Sequence, residues 1–180
     1  MVTTHFFITG PPGIGKTTLV KKVCTSLKKQ KIPCHGFYTE EVRVQGRRTG
    51  FDVVTLDDKR AVLARTDETT ARSNMRVGQY AVDIKSFELT VLPILASKED
   101  GVLVIDEIGR MELCSKRFGE NVLRLFKDNR IVIATIPIRP LPFVSQLKSE
   151  NPSAVVIEVN RINRNELELQ LTKMVVDVLQ

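Results

Sequence analysis

Apolar residues along the chain follow two alternating patterns, short mostly apolar runs and longer stretches with helical spacing. Short runs bounded by glycine, proline or charged residues predict buried strands, here at residues 5–9, 102–105, 131–136 and 154–159. Stretches with apolar residues at every third or fourth position predict amphipathic helices. These helices are predicted at residues 16–30, 84–97, about 116–127, and from residue 167 onward.

Two further segments have strand-like composition without a helix between them. Residues 36–43 and 50–56 are rich in β-branched and aromatic residues, and a polar, glycine-containing stretch separates them, which predicts a hairpin or paired strands. Residues 57–75 are polar and mixed and predict no element. Pro93 is expected to kink the helix at 84–97 or to mark its edge.

The alternation of apolar strands with helices predicts an α/β fold. Strands that are apolar on both faces are typical of a mostly parallel central sheet covered by helices on each side, a three-layer sandwich. The 180 residues contain no repeat, low-complexity segment or linker, so residues 1–180 are predicted to form one domain. Ligands of such sheets bind beyond the carboxyl ends of the strands.

The composition is that of an ordinary globular protein. With 42% hydrophobic and 27% charged residues, a disordered, fibrous or disulfide-dense chain is disfavoured. No apolar run reaches the ~18 residues that span a membrane, and no secretory signal pattern is present, so no membrane partner and a cytoplasmic location are expected. Cys24, Cys34 and Cys114 are odd in number and form no Cys-x-x-Cys pair, which indicates reduced thiols rather than a metal site.

The charge balance is moderately basic. Lys and Arg number 27 against 21 Asp and Glu, a net charge of +6, which weakly favours anionic partners. The basic residues are scattered, and the aromatic residues, 6% of the chain, do not interleave with a basic strip. We therefore predict no dedicated nucleic-acid site, and we expect the chain to act as a monomer.

The strongest chemical signal lies between the first predicted strand and the first predicted helix. Residues 10–17, GPPGIGKT, match the phosphate-binding pattern G-x-x-x-x-G-K-[ST] at every fixed position. The glycines let backbone N–H groups surround phosphate oxygens, and the helix that follows directs its positive end at them. Lys16 is predicted to reach the β- and γ-phosphates and Thr17 to hold Mg²⁺. Thr18 is included in the predicted nucleotide site.

An acidic pair follows the apolar strand predicted at 102–105. Asp106 and Glu107 come directly after Val-Leu-Val-Ile, which is the Walker B pattern. Asp106 is predicted to hold Mg²⁺, directly or through water. Glu107 is predicted to polarise the attacking water, and this role distinguishes hydrolysis from simple nucleotide binding. Lys16, Asp106 and Glu107 are therefore the predicted catalytic residues.

Several weaker signals have two interpretations each. Thr135, at the end of a predicted strand, is a candidate γ-phosphate sensor or an ordinary strand residue. Arg43 and Arg48 are candidate arginine fingers or solvated surface arginines. Asn163 and Arg164 are candidates to border the base. Asn163 and Glu166, three residues later, also have the spacing of a helix N-cap and its partner, which predicts that Asn163 caps a helix. Further arginine candidates are Arg47, Arg76 and Arg110.

Taken together, these motifs resemble the cancer-related nucleoside-triphosphatase family, which also has bacterial and archaeal members. The stretches that carry the resemblance are residues 10–18 (GPPGIGKTT), 36–43 (GFYTEEVR), 46–48 (GRR), 50–56 (GFDVVTL), 76–80 (RVGQY), 104–113 (VIDEIGRMEL), 134–137 (ATIP) and 163–167 (NRNEL). The phosphate loop is shared with many families, whereas GFYTEEVR and VIDEIGRMEL are far more specific.

The resemblance implies a RecA-like P-loop core and Mg²⁺-dependent hydrolysis of nucleoside triphosphates to diphosphates. It further implies slow turnover and broad base selectivity, extending over ATP, GTP, CTP and UTP. Its nucleotide-binding stretches correspond to Gly10, Pro11, Pro12, Gly13, Ile14, Gly15, Lys16 and Thr17, and to Val102, Leu103, Val104, Ile105, Asp106, Glu107, Ile108 and Gly109.

Two other functions are compatible with the residues. A nucleotide or nucleoside kinase on the same fold would need a second pocket for a phosphoryl acceptor, and the sequence contains no clear sign of one. A nucleotide-dependent switch or RNA-associated adaptor is compatible with the net charge of +6. Formation of diphosphate without an acceptor separates hydrolysis from the kinase alternative.

Overall fold

A computed structural model describes residues 5–66 and 74–180. Residues 67–73, part of the 57–75 stretch for which the sequence predicts no element, lie outside the described residues. The strands are β1 His5–Thr9, β2 Cys34–Val44, β3 Arg47–Thr55, β4 Arg60–Arg65, β5 Arg76–Val77, β6 Tyr80–Val82, β7 Val102–Ile105, β8 Ile131–Thr135 and β9 Val155–Glu158. The helices are α1 Lys16–Lys29, α2 Ile84–Ala96, the short 3₁₀ helix Glu112–Cys114, α3 Lys116–Leu125, α4 Pro142–Glu150 and α5 Leu167–Leu179.

Within the described ranges, the strands form one nine-stranded sheet in the order β5-β6-β4-β3-β2-β7-β8-β1-β9. From β2 to β9 every neighbouring pair is parallel, and from β2 to β5 every pair is antiparallel. The change occurs at β2, which pairs in parallel with β7 and as a hairpin with β3. The predicted α/β fold and the predicted hairpin are confirmed, and the sheet is mixed because the hairpin extends it.

Helices cover both faces of the parallel strands, as predicted. Phe6 and Ile8 of β1 belong to the core beneath α1 and α5, whereas Phe7 between them belongs to the core beneath α2, α3 and α4. All three are at most 1% exposed. Because alternate side chains of a strand point to opposite faces, a strand buried on both faces has to be apolar throughout. No helix of the described residues has the length and apolar character of a membrane span.

The helix cap predicted at Asn163 is wrong. Helix α5 begins at Leu167 and has no side-chain cap. The Asn163 side chain instead accepts a hydrogen bond from Asn160 N at 2.9 Å and donates one to Glu158 O at 2.9 Å. Asn163 therefore closes the turn after β9, because the residues between it and α5 form turns rather than the first turn of the helix.

The apolar pattern does not predict β4, β6 or α4. Helix α4 buries only Val144 and Leu147, too few residues to produce a clear helical period. Strands β4 and β6 are short and lie in the antiparallel part of the sheet, where β4 pairs with β3 and β6 pairs with β4. This pairing rather than local composition determines their structure. Pro93 lies inside the last turn of α2, close to the helix edge that its sequence position predicts.

The approach of β2 to β7 at Gly36 leads to a stability prediction. A Cβ atom on Gly36 would lie 2.0 Å from the Val104 carbonyl oxygen, and the backbone φ is +129°. We expect Gly36→Ala to lower the free energy of unfolding by about 3 kcal/mol or more, because the two paired strands must separate locally. Urea unfolding followed by circular dichroism measures this loss.

Gly46→Ala is the matched control. Gly46 has φ +79°, and a Cβ there would meet no atom within 4 Å. It should lose only the conformational cost of a left-handed residue, about 1–2 kcal/mol. Equal losses for the two variants would contradict the steric explanation for Gly36.

Candidate active site

The phosphate loop joins β1 to α1. Its residues 10–15 turn between Thr9 and Lys16, and Gly13 and Gly15 adopt φ values of +74° and +110°. A Cβ atom at either glycine would meet nothing within 4 Å, so the loop surface is open. The Lys16 ammonium folds back over the loop and donates to Gly10 O at 2.9 Å and Pro11 O at 3.3 Å. The loop therefore presents its backbone and a positive charge to the same open space.

Asp106 lies deep at the end of β7. Its side chain is buried, and Oδ1 accepts a hydrogen bond from the Thr135 hydroxyl. These residues meet because β7 and β8 are parallel and in register, with Ile105 beside Ala134, so that both strands end at the same edge. The other oxygen, Oδ2, is buried without a hydrogen-bond partner in the described part of the protein.

Burial controls the protonation of the Asp106 carboxyl. It raises the pKa of Asp106, because the charged form loses water contacts. The hydrogen bond from Thr135, the nearby Thr17 hydroxyl and the positive charges of Lys16 and Lys21 act in the opposite direction. Asp106 therefore combines a raised pKa with an oxygen, Oδ2, that has no hydrogen-bond partner in the described residues.

Glu107 and a residue that the sequence analysis did not identify, Glu112, converge on Gly109. The Asp106–Glu107 peptide bond is cis. A Cβ atom on Gly109 would lie 2.5 Å from Glu107 Oε1 and 2.9 Å from Glu112 Oε2. The Gly109 N–H donates to Glu112 Oε2 at 3.2 Å. A side chain at position 109 would therefore displace one or both carboxyl groups.

The two glutamates have raised pKa values for related reasons. Burial and the charge of Asp106 raise the pKa of Glu107. Burial and the charge of Glu107 raise the pKa of Glu112 to about 8, and Glu112 is only 4% exposed. A glutamate between the apolar Met111 and Leu113 was the available sequence signal, but its burial depends on tertiary contacts. Near pH 7 Glu112 is therefore largely protonated.

A cleft of about 590 Å³ connects these groups. Lys16, Glu107 and Glu112 all line this cleft, so the phosphate loop and the acidic segment face a common space. The antiparallel strands and the segment after β8 complete the cleft. Its other lining residues are Gly10, Pro12, Thr39, Phe51, Leu63, Val77, Arg110, Met111, Pro137, Ile138, Arg139 and Leu141.

The candidate arginines lie elsewhere on the hairpin. Arg43 and Arg48 both pair with Glu41, at 2.7 Å and 2.8 Å, and Arg48 also donates to the Tyr80 hydroxyl. Neither is among the residues that line the cleft. Two other arginines do line it. They are Arg110, a weaker candidate from the sequence, and Arg139, which the sequence analysis did not identify.

The predicted base-bordering residues lie on the far side of the phosphate loop from Glu107. Gly10 approaches the end of β9 so closely that a Cβ there would lie 2.6 Å from Val159 O. The turn with Asn163 and Arg164 follows directly, and neither residue lines the cleft of about 590 Å³. The loop therefore separates this turn from the acidic groups.

A family model described as "NTPase" matches residues 5–172. The cancer-related nucleoside-triphosphatase of Homo sapiens is 44% identical over 175 residues, which cover 91% of this chain and 92% of the human protein. The nucleoside-triphosphatase THEP1 of Thermotoga sp. (strain RQ2) is 44% identical over 162 residues, 89% of this chain and 88% of that protein. The chain belongs to the cancer-related nucleoside-triphosphatase/THEP1 family. The predicted family is thus confirmed.

Solved structures of the same family confirm the fold. The crystal structure of THEP1 from Aquifex aeolicus aligns with a TM-score of 0.82 and 39% identity, covering 95% of this chain and 98% of that one. The solution structure of the human cancer-related nucleoside triphosphatase gives a TM-score of 0.82 and 42% identity, covering 97% and 98%. As a member of the cancer-related nucleoside-triphosphatase/THEP1 family, this chain is a nucleoside-triphosphatase with a P-loop fold.

The raised pKa of Glu112 predicts a pH-dependent difference between wild type and Glu112→Gln. Folding raises this pKa from about 4.3 to about 8, so the folded chain holds a proton that the unfolded chain releases. Wild-type stability should therefore fall as pH rises between these values, by up to about 1.4 kcal/mol per unit from this group. Glutamine does not titrate, and its amide oxygen can still accept from Gly109.

Urea unfolding of both proteins at pH 5, 6, 7 and 8 measures this effect. The free energy of unfolding of Glu112→Gln should increase relative to wild type as the pH rises. Glu120→Gln, at an exposed position of α3, is the matched control and should follow wild type. A difference between Glu112→Gln and wild type that stays constant with pH would contradict the raised pKa.

Proposed function

We propose that this nucleoside-triphosphatase is a Mg²⁺-dependent phosphohydrolase of broad base specificity and slow turnover. It would convert ATP, GTP, CTP or UTP and water to the nucleoside diphosphate and phosphate. The observation that carries the proposal is that Lys16 and Glu107 face one cleft, with the buried Asp106 next to Glu107. The activity named for the human and THEP1 relatives supports the hydrolytic reaction.

Asp106 and Thr17 fit a magnesium ion. Asp106 Oδ2 is buried without a protein partner in the described residues, and the Thr17 hydroxyl is close enough to the Asp106 carboxyl to lower its pKa. Mg²⁺ prefers such oxygen donors and often takes only one or two carboxylates, with phosphate oxygens and water as its other ligands. When bound, the ion would neutralise charge on the phosphates.

The remaining groups have complementary roles in the proposed reaction. The loop N–H groups and Lys16 bind the phosphates and attract negative charge away from the γ-phosphoryl group. Glu107 orients the attacking water and accepts its proton, a task for which a raised pKa is suited. Thr135 holds the Asp106 carboxyl in place. Protonated Glu112 accepts from Gly109 and adds no further negative charge beside Glu107.

Base selectivity is expected to be weak because the side-chain amide of Asn163 is already engaged. Its oxygen accepts from Asn160 N and its nitrogen donates to Glu158 O. If the base lies against this turn, Asn163 and Arg164 border it, and the turn fixes the orientation of the Asn163 amide. Discrimination between bases requires hydrogen bonds to groups that differ among them, so several triphosphates should be accepted.

We further propose that residues 1–180 act as one domain, because one sheet contains every strand of the described residues. A monomer in the cytoplasm stays our prediction, consistent with the three free cysteines.

Phosphate release from ATP, GTP, CTP and UTP, with Mg²⁺ and without an acceptor, tests the proposed reaction. Wild type should release phosphate from all four nucleotides. Glu107→Gln should bind triphosphate but lose about 10²–10⁴-fold in kcat, the usual contribution of a positioned general base. Lys16→Ala should lose tight triphosphate binding, measured by titration with a non-hydrolysable analogue.

Two results would contradict this mechanism. Hydrolysis by Glu107→Gln at the wild-type rate would exclude Glu107 as the base. Absence of phosphate release until a hydroxyl acceptor is added would instead favour the kinase alternative, with the apolar part of the cleft, including Phe51 and Leu63, as the acceptor pocket.

The positions of the arginines predict which of them affects turnover. Arg110→Ala or Arg139→Ala should lower kcat at least ~10-fold, because these side chains line the cleft where charge develops. Arg43→Ala is the matched control and should retain kcat, since Arg43 pairs with Glu41 on the exposed hairpin. Steady-state kinetics measure kcat for each variant. A loss of kcat in Arg43→Ala alone would indicate that Arg43 of the hairpin acts as the arginine finger.

A further inference from the structure

Among the residues that line the cleft of about 590 Å³, Thr39 of β2 is the only one with a hydroxyl group. Its side chain is half-buried and makes no hydrogen bond within the described part of the protein. Polar groups in such a position normally bond to protein or to water. None of the roles proposed for the phosphate loop, the acidic pair or the arginines uses this hydroxyl, so it is available to a group that enters the cleft.

The sheet register brings Thr39 to the level of Glu107. Phe37 of β2 is the register partner of Ile105 of β7, and Asp106 N donates to Phe37 O at 3.1 Å. Strand β7 ends at Ile105, whereas β2 continues beyond Thr39. Thr39 is two residues beyond Phe37, as Glu107 is two residues beyond Ile105. The extended part of β2 therefore runs alongside the segment that carries the acidic pair.

The alternation of side chains along β2 directs Thr39 toward the cleft. Phe37 belongs to the core beneath α2, α3 and α4. Tyr38 lies on the opposite face, where Lys21 of α1 stands over its ring with Nζ 3.6 Å from the ring centroid. Thr39 returns to the face of Phe37, and its partner across the hairpin, Val53, is buried in the same core as Phe37.

Glu107 is a second polar side chain without a partner at this level of the sheet. Like Thr39, it makes no side-chain hydrogen bond in the described residues, and it lines the same cleft. The next side chain on this face of β2, Glu41, is instead bound by Arg43 at 2.7 Å and by Arg48 at 2.8 Å. Thr39 and Glu107 therefore present an unengaged hydroxyl and an unengaged carboxyl to one cleft.

We propose that the Thr39 hydroxyl holds the attacking water together with Glu107, an inference that rests on the proposed function. A single carboxylate fixes one O–H of a water molecule and leaves the molecule free to rotate about that hydrogen bond. The Thr39 hydroxyl accepts a hydrogen bond from the second O–H, so that a lone pair of the water oxygen is directed at the γ-phosphorus. Fixed orientation of a reactant lowers the entropic part of the barrier.

Thr39 exchanges no proton in the proposed step. The water oxygen forms a bond to the γ-phosphorus, the bond from this phosphorus to the bridging oxygen of the β-phosphate breaks, and the nucleoside diphosphate leaves. One water proton passes to Glu107, and the other stays on the phosphate that is formed. A hydroxyl suits this position because it orients the water without adding a negative charge next to the phosphates or accepting the proton in place of Glu107.

Thr39→Val tests the proposal, because it replaces the hydroxyl with a methyl group and keeps a β-branched strand residue. In ATP hydrolysis its kcat should fall at least ~10-fold while KM stays within ~2-fold of wild type, as expected for an interaction made only in the transition state. Thr39→Ser restores a hydroxyl and should recover most of kcat. Thr49→Val is the matched control and should keep the wild-type kcat, since Thr49 donates to Val42 O on the hairpin and does not line the cleft.

A binding measurement tests the same role without turnover. Wild type and Thr39→Val are titrated with a non-hydrolysable ATP analogue, and separately with ADP, Mg²⁺ and aluminium fluoride, which together mimic the transition state with its attacking water. The two proteins should bind the ATP analogue equally. Thr39→Val should bind the aluminium fluoride complex at least ~10-fold more weakly, because only that complex includes the positioned water.

Three results would overturn the proposal. They are a wild-type kcat in Thr39→Val, a loss of kcat that Thr39→Ser does not recover, and weaker binding of the ATP analogue with kcat unchanged. The second result would assign the effect to strand packing, and the third would place the hydroxyl on the phosphates. Circular dichroism verifies folding, and Thr39→Ala replaces Thr39→Val if valine prevents it. Failure of the proposed function gives a different result, since wild type would then release no phosphate or Glu107→Gln would hydrolyse ATP at the wild-type rate.

Discussion

The parallel pairing of β1, β7 and β8 is the constraint on which the active site depends. All three strands end at one edge of the sheet, so the phosphate loop after β1 lies beside Asp106 after β7 and Thr135 at the end of β8. The register fixes these neighbours to within one residue, because a shift by one would turn each side chain to the other face. Residues more than 90 positions apart in sequence thereby form one site.

Burial of acidic groups controls their protonation at this edge of the sheet. Burial raises the pKa values of Asp106, Glu107 and Glu112, and the charge of Asp106 further raises those of the two glutamates. Buried carboxylates repel one another and lose hydration, so the group without a cationic neighbour, Glu112, keeps its proton. The positive charge of Lys16 opposes this rise at Asp106 and Glu107 without cancelling it.

The antiparallel part of the sheet, strands β3 to β6, contributes cleft side chains that the parallel strands do not provide. Strands β3 and β4 contribute Phe51 and Leu63 to the cleft that Lys16 also lines. Their ion pairs hold the extension together, since Asp52 is bound by both Arg60 and Arg65. The hairpin is therefore a wall of the site as well as an edge of the sheet. Its arginines serve this structure locally, through Glu41 and Asp52, rather than by entering the cleft.

Local sequence patterns were enough to predict the parts of the protein whose structure depends on residues close together in the chain. The phosphate loop is recognisable because backbone binding of phosphate needs glycines at fixed spacing. The strands at 102–105 and 131–136 are recognisable because burial on both faces demands continuous apolar residues. The acidic pair at 106–107 follows from its position after such a strand.

The tertiary structure decided the features that depend on distant neighbours. Burial raises the pKa of Glu112 to about 8, and this effect leaves no periodic signal in the sequence. Asn163 has the spacing of a helix cap, but the turn after β9 binds its side chain instead. Short-range patterns specify which elements form, whereas burial, pairing and charge between elements determine which side chains meet.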